Sequence, residues 1–322
     1  MNTRGISARP SRQKGAALVI VLVLVLAMAV VAGAFAYAMK VEARLAMNTR
    51  SGPELEWLGR SGMELAKWVL QQQRAIPGEG MYDGLNQFWA GGPGNIESVD
   101  NPYMGLDLAR VPVGNGEISV RIIDLERRLN INSAPEPVLE LAFQILGAGA
   151  GESSLIAAAI MDWRDRDDME HAKGGAEQGY YASLNPPYAP KNGPLDDISE
   201  LLKVRGITPE LYWGEKVTGF RPGGRRAPVV GEVLSNVSED TTGAGAVDVF
   251  TAISSSRVNV NTAPLPVLRV LFGGDENIAR QVLQHRAGPD GQEGTADDMP
   301  LDRKSTRLNS SHEWISRMPS SA

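Results

Sequence analysis

Twenty-five uncharged, mostly apolar residues run without a break from Gly15 to Met39, bracketed by Lys14 and Lys40. At about 1.5 Å of rise per residue, a helix of this length crosses a bilayer with margin. A short basic leader ending Arg12-Gln13-Lys14 precedes it. A secretory signal peptide has the same plan. Ala34-Phe35-Ala36 and Ala36-Tyr37-Ala38 offer small-x-small cleavage sites, but the apolar run is longer than a usual signal core. A plain N-terminal anchor with its basic side in the cytoplasm also fits.

A third reading rests on Gln13-Lys14-Gly15-Ala16-Ala17-Leu18-Val19-Ile20, which resembles a type IV prepilin-like leader. A dedicated peptidase cuts such leaders on the cytoplasmic side, just after the glycine. Here the cut would fall between Gly15 and Ala16.

The formal charge is −6, unevenly spread. The leader Met1–Gly15 holds four basic residues and no acidic one, and Asp302–Ala322 holds four basic and two acidic. That leaves 24 basic and 36 acidic residues over 16–301, a net of −12. Such a body repels nucleic acid and attracts divalent cations. The chain has no cysteine, so export to an oxidising compartment requires a core that holds without disulfides. Its 322 residues allow two or three small domains.

The final stretch, DRKSTRLNSSHEWISRMPSSA, resembles the translation of a short-read sequencing adapter. Asp302–His312 and Ser316–Ala322 fit constant blocks around an index at Glu313-Trp314. The expectation is a non-native, exposed, poorly packed tail, with the natural protein continuing differently after Leu301.

Between these ends, the helix is expected to continue past the membrane. Leu55, Leu58, Leu65 and Val69 fall at helical spacing with Gly62, and Gly52-Pro53 should kink or interrupt it. Pro77–Pro102 reads as loop. Ile118, Val120 and Ile122 alternate with Ser119 and Arg121, predicting a strand within Glu117–Asn132. A mainly helical region follows, about Pro135–Tyr212, and Val247–Val260 returns to β-prone sequence.

An internal repeat crosses this plan. Arg128-Leu129-Asn130-Ile131-Asn132-Ser133-Ala134-Pro135 recurs as Arg257-Val258-Asn259-Val260-Asn261-Thr262-Ala263-Pro264, and each copy leads into Pro-Val-Leu. This is a strand end running into a helix. Ser133 or Thr262 is placed to cap it, with the prolines in its first turn. Small helix-hairpin-helix modules of DNA-uptake and repair proteins open similarly. They also need a Gly-x-Gly hairpin meeting phosphate with basic residues nearby. The nearest candidates, Val204-Arg205-Gly206-Ile207 and Gly273-Gly274-Asp275-Glu276, have acidic neighbours.

Further stretches resemble the minor pseudopilin K family of type II secretion systems. They are Ile123-Asp124-Leu125-Glu126-Arg127-Arg128, Asp162-Trp163-Arg164-Asp165-Arg166-Asp167-Asp168, Gly175-Ala176-Glu177 with Tyr180-Tyr181, and Asn192-Gly193-Pro194-Leu195 before Ser199-Glu200-Leu201. The resemblance covers nearly all of 10–290. It implies a non-enzymatic structural subunit, inserted in the inner membrane with its body in the periplasm and processed by prepilin peptidase. Such a subunit caps the pseudopilus with minor pseudopilins I and J and binds no nucleic acid. Most pilin-like subunits carry glutamate five residues after the cut, to neutralise a neighbour's terminal amine. Here that position is Ile20, which suits a tip subunit with no earlier subunit to meet, since an unpaired carboxylate in an apolar setting costs several kcal/mol.

Two acidic clusters suit hard oxygen-loving cations. Asp162, Asp165, Asp167 and Asp168, with Glu177 beyond a glycine turn, form the first, and the family resemblance also implies calcium there. Asp290, Glu293, Asp297 and Asp298 form the second, a weaker candidate calcium loop without the EF-hand pattern. A solvated acidic face is the alternative for both. No Gly-x-Ser-x-Gly elbow or P-loop is present, and His171 lacks a correctly spaced second histidine for zinc.

The expected fold is α+β: a long N-terminal transmembrane helix and a pilin-like sheet domain with a large helical (SAM-like or helix-hairpin-helix-like) insertion. The segments are leader 1–15, membrane helix 16–40, helix continuation and first pilin-like part 41–132, helical insertion 133–214, second pilin-like part 215–301 and tail 302–322. The competing function is a membrane-anchored helix-hairpin-helix DNA-binding or uptake protein.

Overall fold

The computed structural model describes residues 13–94, 101–114, 116–214, 243–301 and 307–308. Most of the leader, residues 215–242 and all but two residues of the tail lie outside them. The chain divides into two compact units.

The first unit comprises the chain up to Glu64 together with Arg110–Ile118. Its main element is helix α1, Gln13–Gln73, whose last turns belong to the second unit. Within α1, Ala17–Ala46 is long and apolar enough to cross a membrane, and none of it is buried by protein. Leu18, Leu22, Leu26 and Phe35 are exposed, the arrangement that lipid would cover. The interruption expected at Gly52-Pro53 does not occur: α1 runs through Pro53 as one element. Proline removes only one i→i−4 bond, and the helix formers Glu54, Leu55 and Glu56 carry the helix onward. Strands β1 (Val111–Val113) and β2 (Gly116–Ile118) pair antiparallel, Pro112 opposite Glu117.

The second unit holds Leu65–Ala109 and the residues from Ser119 on. Burial alternates along 116–122, as the sequence pattern requires, with Val120 and Ile122 half-buried. Ladder pairing stops at Ile118, because Val120 N–H instead donates to Leu108 O (2.7 Å) in a loop. Val120 and Ile122 thereby join a small core of Val69, Trp89, Tyr103 and Leu108. Tyr103 stacks on Phe88 at 4.2 Å, and its hydroxyl donates to Val69 O (2.9 Å).

The larger core is built by the repeat. Strand β3 (Leu129–Asn130) leads to helices α2 (Glu136–Ile145) and α3 (Ala150–Arg164). Short helices α4 (Gln178–Ala182) and α5 (Pro209–Trp213) follow. After α6 (Ala246–Val249) and strand β4 (Phe250–Thr251) come β5 (Val258–Asn259), α7 (Leu265–Leu271) and α8 (Glu276–Arg286). Strand β3 runs parallel to β4, Leu129 opposite Phe250. Leu139, Phe143, Ile156, Ile160, Phe250, Leu265 and Leu268 pack into one cluster, so 129–212 and 246–301 share a core. The mixed helix-and-sheet class holds, and among the described residues the strands pair only two by two.

Two local expectations are corrected. The start of Val247–Val260 is helical, because Asp248 reaches back to accept the Gly245 N–H (3.1 Å). Neither Ser133 nor Thr262 caps a helix: α2 and α7 begin after Pro135 and Pro264, which take the cap position without a side-chain bond. Thr262 Oγ1 donates instead to Asp124 (2.6 Å). Pro137 and Pro266 do lie in the first turns. In the tail, Arg307–Leu308 form strand β6 antiparallel to β5, so these two residues are paired. A backbone ladder asks little of side chains, which is why so short a pairing needs no matched sequence.

Candidate metal centre

The first acidic cluster is assembled where α3 ends. Asp162, on the last turn of α3, is 1% exposed. Its carboxylate accepts the His171 N–H at 3.1 and 3.2 Å, folding 165–171 back over the helix end. The Ala176 N–H adds a second bond. This return needs glycine at 175: a Cβ there would lie 1.8 Å from Asp162 Oδ2. His171 and Lys173 tie the loop to α2, with Lys173 Nζ 2.8 Å from Glu140 and 3.1 Å from Glu136. Trp163, Tyr181 and Tyr188 pack their rings beneath it.

Asp165, Asp167 and Glu177 bring carboxylate oxygens within 4.8 Å of one another. Glu177 sits just before α4, 3% exposed, and among the described residues neither of its oxygens has a hydrogen-bond donor. Asp165 Oδ1 is likewise buried and unpartnered. Buried carboxylate oxygens with no donor are costly. Burial pushes Glu177 up to about 7, helped by the charges of Asp162, Asp165, Asp168 and Asp167. Burial also raises Asp165, reinforced by Asp167 and Asp162. Burial raises Asp162 too, against the pull of its two N–H donors. The donor set is all oxygen, which suits a hard divalent cation with water or backbone carbonyls completing six to eight ligands.

Of the five residues expected at this site, Asp165, Asp167 and Glu177 converge. Asp162 frames the loop through N–H groups, and Asp168 accepts from Asn192 Nδ2 (3.0 Å). Asn192 also donates to Asp167 O (3.1 Å), and its Oδ1 is buried without a partner. Sequence reasoning did not place Asn192 here. Its one signal was an asparagine before glycine, suited to the left-handed backbone it adopts at φ 46°.

The second cluster is engaged differently. Glu293 pairs with the Arg286 guanidinium. Asp290 accepts from Gln292 N–H (2.7 Å), and Asp297 from Asp290 N–H (3.0 Å) and Thr295 Oγ1 (2.7 Å). Asp298 accepts from the N–H groups of Gly294 (2.8 Å) and Thr295 (3.3 Å).

The two hairpin candidates also serve the chain itself. Gly206 lies so close to α3 that a Cβ would stand 2.7 Å from Ile156. Arg205 donates to Gly175 O (3.0 Å) and lies over the Tyr180 ring at 4.6 Å. Asp275 caps α8 by accepting from Asn277 and Ile278.

Residues 122–214, which contain the first acidic loop, match the family model described as type II secretion system (T2SS), protein K. The chain is similar to type II secretion system protein K. The resemblance read from its motifs is thereby borne out. Protein K of Pectobacterium carotovorum subsp. carotovorum is 32% identical over 220 residues, covering 63% of this chain and 61% of that one. Protein K of Aeromonas hydrophila is 28% identical over 219 residues, covering 62% and 61%. The chain thus spans about three fifths of the length of these curated relatives. A chain of the solved GspK-GspI-GspJ complex from the enterotoxigenic Escherichia coli type 2 secretion system shares the fold. Its TM-score is 0.51 at 21% identity, over 78% of this chain and 74% of that one.

Proposed function

We propose that the chain is a minor pseudopilin of the K type, placed at the tip of a type II secretion pseudopilus, where it helps initiate assembly and so supports protein export. One observation carries this reading: a wholly exposed apolar helix, Ala17–Ala46, stands ahead of a body that resembles protein K over 122–214. In this account prepilin peptidase cuts between Gly15 and Ala16. The helix then sits in the inner membrane with the body in the periplasm. The partners are minor pseudopilins I and J, as the composition of the related solved complex suggests. The role is structural rather than enzymatic. In this reading the helical region following Pro135 hinders addition of a further subunit above it, and Ile20 in place of a carboxylate suits a subunit with none ahead of it.

Asp165, Asp167 and Glu177 hold calcium in this account, with Asp162 and Asp168 shaping the loop. The unpartnered oxygens of Glu177 and Asp165 support it. The competing DNA-uptake reading draws on the Asn-x-Asn turns. The internal engagement of Arg205, the acidic cap at Asp275 and the net −12 of the body weigh against it. Deleting the gene in its own bacterium tests the main reading. Exported proteins should accumulate in the periplasm and return to the medium when the full chain is restored. Undiminished export after deletion would overturn it.

A further inference from the structure

The two Asn-x-Asn turns open two copies of a unit that runs well beyond the residues that match in sequence. In each copy the first asparagine accepts from the N–H of the second: Asn132 to Asn130 at 2.8 Å, Asn261 to Asn259 at 3.1 Å. Two helices follow in both. The second helix ends in arginine each time, Arg164 and Arg286. Each arginine donates through Nη1 to the carbonyl between the two asparagines, Ile131 O at 2.6 Å and Val260 O. The second asparagine then closes the unit on a leucine backbone. Asn132 accepts from Leu195 N–H and donates to Leu195 O, at 2.8 and 2.9 Å. Asn261 does the same with Leu301, at 2.8 and 3.0 Å.

Between arginine and leucine each copy carries an acidic loop, and the two loops balance their charge differently. In the first, Arg164 is occupied by Ile131 O and the Met161 sulfur, while Glu177 and Asp165 keep buried oxygens without donors among the described residues. In the second, Arg286 is 4% exposed and its Nε donates to Glu293, while Asp290, Asp297 and Asp298 accept from the loop itself. We propose that Arg286 is the resident cation of the second copy, so that the 288–298 loop closes without metal while its counterpart at 165–177 requires one. The contrast rests on the calcium reading of the first loop. The role of Arg286 rests on the second copy's own hydrogen bonds.

Amide hydrogen exchange on the full chain in detergent micelles, with calcium and with chelator, tests both halves. Chelation should speed exchange at least about tenfold in 165–177 and leave 288–298 within about twofold. Glu293→Gln, which keeps Arg286 on Val260 O, should speed exchange in 288–298 at least about tenfold in both media. Arg286→Gln should do so more strongly, and a global rise would mark it as unfolding, leaving Glu293→Gln to decide. Opening of 288–298 on chelation in the unmodified chain would overturn the assignment, as would a Glu293→Gln loop that stays closed. An indifferent 165–177 would instead overturn the calcium reading and the contrast built on it.

Discussion

Asn132 holds Leu195 by both backbone groups at once, its Oδ1 accepting the Leu195 N–H at 2.8 Å and its Nδ2 donating to Leu195 O at 2.9 Å. The same amide donates to Ala252 O at 3.2 Å. One side chain thus joins the turn after β3 to the segment behind the acidic loop and to the chain after β4. Asn132→Ala removes all three bonds and leaves backbone groups unpaired, a loss of about 2–4 kcal/mol. Thermal unfolding of the full chain in detergent should fall by several degrees. Asn132→Asp, which keeps the acceptor alone, should fall between.

Gly175→Ala probes the loop return. A Cβ would stand 1.8 Å from Asp162 Oδ2 and 2.8 Å from His171 N, so the loop must move off α3. The expected cost is about 2 kcal/mol or more, and calcium should stabilise the variant less than the unmodified chain, by linkage. Calorimetry with calcium and with chelator measures both. An unchanged calcium shift would remove the loop from the site.

Glu177 sets a pH dependence. Its folded pKa, about 7, lies above the ordinary carboxylate value of 4.5, so between those values the folded chain binds more protons than the unfolded one. Stability in chelator should therefore fall as pH rises from about 4.5 to 7 and level off above. Asp162 and Asp165, also raised, act in the same direction. Calcium favours the ionised carboxylates and should flatten or reverse the slope, and Glu177→Gln should weaken it. Denaturant titrations across pH 4.5–8 measure it.

How much of this could be read from the sequence differs from part to part. The Asn-x-Asn repeat and its proline starts stood out because both copies keep them at one spacing. Its continuation did not: Arg164, Arg286, Leu195 and Leu301 are separated by loops of unequal length, and their partners are backbone groups, which carry no residue signature. The alternation at Ile118, Val120 and Ile122 reported burial correctly, but it could not say that Val120 would bond to a loop rather than a strand. At the acidic site, composition found the carboxylates. It could not separate Asp162, spent on N–H groups, from Glu177, left without donors. Nor could it find Asn192, distant in sequence and delivered by the clasp on Leu195.

Processing is the next prediction. The basic residue Lys14 and the Gly15-Ala16 junction lie at the start of α1, just before its apolar stretch Ala17–Ala46. N-terminal sequencing of protein extracted from membranes should begin at Ala16. A start at Met1 would leave a plain anchor, and one near Tyr37–Met39 a signal peptide. Either would remove the pseudopilin leader from the account.

The central claim is that this chain joins other minor pseudopilins at a pseudopilus tip, and isolating the full chain together with its own minor pseudopilins I and J tests it most directly. Extracted from membranes and passed over a sizing column in moderate salt, the three should travel as one complex that excludes duplex DNA. A chain that travels alone, and instead binds duplex DNA tightly with an affinity that falls steeply as salt rises, would contradict it.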